Sequence, residues 1–168
     1  MTYSTIMHPG IHVGTIVLNT SGVSVSLSSP KVAITSIDWG TSTQGTASID
    51  SNNIVLSANK KYLLQATVSY SFSATFSDDY KIRFYDETNS SWLGKHGVLT
   101  SSYEAFGSIE LTRTDDAARA IIINGSSARN VSLKYSGTTD QTFTIGDKPA
   151  SGIWTYLTAY GRIEVWEF

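Results

Sequence analysis

Tyr156-Leu-Thr-Ala-Tyr-Gly-Arg-Ile-Glu-Val-Trp-Glu-Phe168 closes the chain, and it alternates with the period of a β-strand. Odd positions place Leu157, Ala159, Ile163 and Val165 on one face. Even positions place Tyr156, Tyr160, Trp166 and Phe168 on the other, interrupted by Arg162 and Glu164. A strand in a two-sheet sandwich buries one face and wets the other. Large aromatics on the second face therefore call for another covering surface, and a second copy of the same chain is the simplest one.

Upstream, short alternating runs recur, each closed by Gly, Pro, Asn, Asp or Ser. The clearest is Tyr62 to Phe72, where Tyr62, Leu64, Ala66 and Val68 oppose Leu63, Gln65 and Thr67. Others run over Ile11 to Leu18, Val23 to Leu27, Val32 to Asp38, Thr46 to Asp50, Ile54 to Ser57 and Tyr80 to Asp86. Ser91 to Leu99 reads as an irregular strand or loop. Tyr103 to Arg113, Ala118 to Asn124, Val131 to Tyr135 and Thr142 to Ile145 follow. About ten strands without a helix mean an antiparallel all-β sandwich, jelly roll or closed barrel. The expected core is Tyr62, Leu64, Val68, Ile82, Phe84, Leu133, Leu157, Ile163 and Val165. Ser28-Ser-Pro30 marks the best boundary, giving an N-terminal arm over 1–30 and a sandwich over 31–168.

The 168 residues suit one domain, and only 15% of them are charged, against ~25% in an average domain. Ser, Thr and Gly make up the difference, which favours strands and turns. A net charge of −2 supplies no cationic footprint for nucleic acid. No run approaches the ~20 apolar residues that span a bilayer, and Met1 to Gly10 lacks the pattern of a signal peptide. The absence of cysteine rules out thiol nucleophiles and Cys-based zinc sites, and it favours folding in a reducing compartment.

Residue types that carry chemistry are present but not in catalytic patterns. His8, His12 and His96 lack an accompanying carboxylate cluster, so surface and turn roles fit them better than metal ligation. Asp78-Asp79 and Asp115-Asp116 lack the alternation of a calcium loop and read as turn caps. There is no Gly-x-Ser-x-Gly elbow and no Gly-rich phosphate loop. Opposed carboxylates for glycoside hydrolysis cannot be assembled from these spacings. No enzyme and no cofactor are expected. Exposed tryptophans beside polar loops are the remaining candidates, with Trp92 and Asn89 the pair best placed to meet a sugar ring. The competing role for Trp39, Trp92, Trp154 and Trp166 is to close the ends of the sandwich or line a subunit contact.

At Asn59-Lys-Lys-Tyr-Leu-Leu-Gln-Ala-Thr-Val-Ser-Tyr70 and Tyr160-Gly-Arg-Ile-Glu-Val-Trp166, the chain resembles the C1q/TNF-like jelly-roll family over residues 31–168. Short, cysteine-free, Ser/Thr-rich chains of this kind resemble bacteriophage virion proteins: capsid-decorating or cement proteins, head fibres and tail-fibre knobs. The resemblance implies a homotrimer formed through one sheet of each subunit. By matching, that sheet would hold Val32 to Asp38, Tyr80 to Asp86, Val131 to Tyr135 and Tyr156 to Phe168. Tyr85, Tyr135, Tyr156, Tyr160, Trp166 and Phe168 are the candidates for the trimer axis. The implied partners are further copies of the chain and a major capsid or other virion protein, reached through residues 1–30. The implied location is the virion, assembled in the host cytoplasm. The alternative is a tail-fibre knob that recognises host surface glycans through Asn89 and Trp92.

Overall fold

The computed structural model describes residues 10–17, 23–26, 28–34, 36–38, 46–68, 70–71, 81–98, 108–109, 118–137, 143–145 and 161–168. They form fourteen strands and no helix. The first seven are β1 (Ile11–Val17), β2 (Val23–Val25), β3 (Ser36–Asp38), β4 (Ala47–Asp50), β5 (Asn53–Leu56), β6 (Lys61–Val68) and β7 (Tyr70–Ser71). The rest are β8 (Lys81–Asp86), β9 (Ser91–Val98), β10 (Ser108–Ile109), β11 (Ala118–Ile123), β12 (Arg129–Tyr135), β13 (Phe143–Ile145) and β14 (Gly161–Glu167).

Ten strands pair antiparallel in one sheet of order β3-β1-β14-β6-β11-β9-β8-β12-β5-β4. A smaller sheet runs β10-β7-β13-β2. The large sheet curls around a single hydrophobic cluster. Val13 and Ile16 enter it from β1, Ile163 and Val165 from β14, Tyr62 and Leu64 from β6, and Ile122 from β11. The far half supplies Ile82 and Phe84 from β8, Leu133 and Tyr135 from β12, and Ile54 and Leu56 from β5. Strict alternation does the sorting: β11 buries Ala118, Ala120 and Ile122 and turns Arg119, Ile121 and Ile123 outward. Each large apolar side chain so buried contributes about 1.5–3 kcal/mol before conformational entropy.

Polar bonds finish one end of the core. The Tyr62 hydroxyl donates to the Thr46 carbonyl at 2.6 Å, and burial raises the Tyr62 pKa. Asn124 Nδ2 donates to the carbonyls of Leu56 (3.1 Å) and Ser57 (2.8 Å), while Lys60 pairs with the largely buried Glu167 carboxylate. The β4–β5 hairpin turns through Ser51 and Asn52, both at positive φ (49° and 67°), as a two-residue turn with the twist of its strands requires.

The two halves of the large sheet meet at β9 and β11 through one residue pair, Arg119 and Lys95. Beside this joint β9 bulges: Ile82 pairs with Gly97 and Phe84 with Leu93, so residues 94–96 stand opposite Arg83 alone. Arg83 Nε donates to the carbonyls of Leu93 (3.2 Å) and Gly94 (2.9 Å), which satisfies groups at the bulge.

Residues 11–17, within the segment set apart as 1–30, form β1, which pairs along β14 and β3, and Val13 and Ile16 are core. Residues 1–9 lie outside the described residues. The all-β antiparallel class holds, with ten strands hydrogen-bonded in one sheet and four in a smaller one. The strands matched to a common trimer sheet fall in different parts of the large sheet. β14 lies between β1 and β6, whereas β8 and β12 pair with each other beyond the β9–β11 joint. Of the expected core, Leu157 and the Val68 side chain lie outside the described residues; the other seven are buried. Of Tyr103 to Arg113, Ser108–Ile109 is described and is a strand.

Candidate functional site

Two outward faces carry the side chains of interest. On the first, cross-strand pairing sets Trp92 of β9 beside Tyr85 of β8, and Tyr85 beside Ser132 of β12. The Trp92 and Tyr85 rings meet edge to face, with centroids 5.0 Å apart and planes at 78°, a favoured aromatic geometry. Lys134 Nζ sits 3.6 Å from the Tyr85 ring centroid, within cation–π range. Trp92 keeps 42% of its surface exposed.

Glu87 organises the polar side of this platform. It accepts from Ser132 Oγ at 2.7 Å and from Lys134 Nζ at 3.1 Å, and Lys31 Nζ lies 3.3 Å away. Partial burial pushes the Glu87 pKa up, but the bonds from Ser132 and Lys134 and the charges of Lys134 and Lys31 outweigh it. The net shift is downward.

Asn89 belongs to the neighbouring turn rather than to the platform. The buried Asp86 carboxylate accepts from the backbone N–H groups of Thr88 and Asn89, both at 3.0 Å, and from Asn89 Nδ2 at 2.8 Å. Arg129 Nη1 lies 3.3 Å from the same carboxylate. Asp86 thus caps the β8–β9 turn, and the Asn89 amide nitrogen is committed to it.

The second face is the outside of β1, β14, β6 and β11. Register places His12, Trp166, Leu63 and Ile121 in one row across four strands. Phe168 and Ile123 extend it, each on one side of Lys61. Ile121, Ile123 and Phe168 are 66%, 68% and 55% exposed, and Trp166 is half-buried. The adjoining row is polar. Glu164 Oε2 lies 2.6 Å from His12 Nε2 and accepts from the Thr15 hydroxyl at 2.7 Å. The His12 ring tilts against Trp166 with centroids 4.7 Å apart. The Thr15 hydroxyl donates to the carboxylate, with His12 Nε2 at 3.4 Å. This arrangement fixes three side chains.

The structure therefore separates the residues that the sequence grouped. Trp166 and Phe168 share the second face, Tyr85 joins Trp92 on the first, and Tyr135 is buried in the core, opposite Ile82. Tyr156 and Tyr160 lie outside the described residues. Ile121 and Ile123 were missed as surface residues, although an Ile-Ile-Ile run in a strand must turn at least one isoleucine outward. Among the described residues no three His, Cys, Asp or Glu side chains gather as a metal site, and no helix is long and apolar enough to cross a membrane. His96 is exposed on β9; His8 lies outside the described residues. No protein-family model matches the chain, and no curated protein matches its sequence.

Proposed function

We propose that the chain is a structural protein of a bacteriophage particle, a C1q/TNF-like jelly roll that assembles as a homotrimer to decorate or cement the capsid or to form a head fibre. The observation that carries this reading is the apolar row Trp166–Leu63–Ile121, extended by Phe168 and Ile123, on the outside of three adjoining strands. Contiguous exposed apolar side chains of this size mark interaction surfaces. A closed ring of identical subunits covers such a face on every copy at once.

Strand order supports the jelly-roll part. Taken as two five-stranded leaves, β3-β1-β14-β6-β11 and β9-β8-β12-β5-β4, the chain crosses between leaves after β3, β5, β6, β9, β11 and β12. Repeated crossing of this kind is how Greek-key sandwiches are wound. With β1 inside the sheet, the anchor to a capsid protein narrows from residues 1–30 to residues 1–9. The second reading, a tail-fibre knob recognising host glycans, is favoured by the exposed Trp92 ring braced by Tyr85.

Light scattering of the purified chain followed by co-sedimentation with empty phage heads tests the assembly reading. A trimer that pellets with heads, and that no longer does so after deletion of residues 1–9, is expected. A monomer in dilute buffer overturns the reading.

A further inference from the structure

We propose that the outer face of β9, β8 and β12 is a binding site for an acidic sugar: a pyranose stacked on Trp92, with its carboxylate toward Lys134 and Lys31. The inference deepens the glycan reading above and rests on it; it does not depend on the trimer.

Three observations combine. First, Trp92 presents an exposed indole whose edge-to-face contact with Tyr85 fixes its orientation. A flat ring held in place suits the axial C–H face of a pyranose, since stacking on a preset surface costs little side-chain entropy. Second, this apolar surface is one ring wide and is bordered by Lys134, Glu87 and Arg83. Cores of protein–protein interfaces are depleted in charge and larger than this, so the second face, not this one, suits a protein. A sugar matches one small apolar plane beside a dense set of hydrogen-bonding groups.

Third, the charge is one-sided. Among the described residues of this patch, Lys31, Lys134 and Arg83 stand against the single carboxylate of Glu87, in a chain whose net charge is −2. Glu87 neutralises one cation and holds Lys134 over the Tyr85 ring. The remaining positive excess complements an anion. Asn89, the partner that sequence proximity suggests for Trp92, has its amide nitrogen bound to Asp86. The ligand-facing set is instead Trp92, Tyr85, Lys134 and Lys31, drawn from three strands and the segment before β3.

Isothermal titration with trigalacturonate and with its methyl ester, a neutral match in shape, tests this. Trigalacturonate is expected to bind about tenfold more tightly than the ester. Trp92→Ala is expected to weaken it about tenfold and Lys134→Gln about threefold, with Trp92→Phe restoring part of the loss. Equal binding of acid and ester that still depends on Trp92 overturns the acidic specificity and leaves the glycan reading standing. Binding indifferent to Trp92→Ala overturns this site. Absence of binding by either sugar overturns the site and counts against the glycan reading as well.

Discussion

A β-carbon added to Gly94 would lie 1.9 Å from the carbonyl oxygen of Arg119 and 2.6 Å from the Ala120 α-carbon. Both are backbone atoms, so nothing there can rotate aside. Gly94 also has φ of 61°, in the left-handed region that side chains resist. Its missing side chain is what lets β9 touch β11 at the joint between the two halves of the sheet. Gly94→Ala is expected to cost about 2–5 kcal/mol and to lower the melting midpoint by roughly 5–15 °C. Gly125 is the control: a β-carbon there meets nothing within 4 Å, so Gly125→Ala should stay within about 0.5 kcal/mol of the parent. Equal melting of the two variants by circular dichroism would falsify the close-approach account.

Tyr62 links the core to alkaline stability. Burial raises its folded pKa, whereas in the unfolded chain the phenol ionises near pH ~10. The contribution is therefore complete below that pH and is lost as pH rises through the folded value. Tyr62→Phe removes the bond to the Thr46 carbonyl and should cost about 1 kcal/mol at pH 7. The gap between parent and variant should close above pH ~10. Urea titrations at pH 8 and pH 11 measure it; a gap that widens with pH contradicts the sign.

Glu87 gives the opposite dependence. Its folded pKa lies below the ordinary value because Ser132, Lys134 and Lys31 outweigh partial burial. Its stabilisation is present above the unfolded glutamate value of ~4.3 and disappears as pH falls through the folded value. Glu87→Gln should cost about 0.5–1 kcal/mol at pH 7 and less at pH ~3. Thermal melts at the two pH values check it, and a constant difference would rule the linkage out.

Ile121 and Ile123 separate folding from assembly. Both point outward from β11 while Ile122 fills the core. Ile121→Lys combined with Ile123→Lys should leave the subunit folded, with a stability change of about 0.5 kcal/mol, and should convert the proposed trimer to monomer in light scattering. A trimer that survives both changes moves the interface elsewhere. Ile122→Ala, by contrast, should cost about 2–5 kcal/mol.

The strands were legible wherever apolar residues alternated over a long enough run. Tyr62, Leu64 and Ala66 on β6, Ile82 and Phe84 on β8, and Ile163 and Val165 on β14 turn inward as their spacing predicts. Ser91 to Leu99 was ambiguous because its bulge disrupts the period of two, and the compensating donor, Arg83, is supplied by another strand. Tyr135 shows the limit of reading a face from one strand: alternation cannot say which side of β12 is the core until β8 pairs with it.

The candidate site was half legible. Trp92 could be singled out as an aromatic beside a polar turn, but its neighbour Tyr85 is fixed by hairpin register and Lys134 by pairing with a strand some forty residues further on. Asn89 is close to Trp92 in sequence, and the geometry of a tight turn gives its amide nitrogen to Asp86. Ser28-Ser-Pro30 is a real break in pattern. A break in pattern also occurs where a chain leaves one part of a sheet to pair with another, as β1 does with β14.

That pairing has a mechanical consequence. Ile11 begins β1 directly opposite Glu167 at the finish of β14, so pulling apart the flanks of these two strands loads their rungs one after another, as in a peeling zipper. A tether gripping the chain ahead of Ile11, with tension returning through Phe168, would strip the ribbon at small force. The same subunit gripped across its outer faces would share the load among many rungs. A pull between Gly10 and Phe168 therefore meets less resistance than one spread across a face.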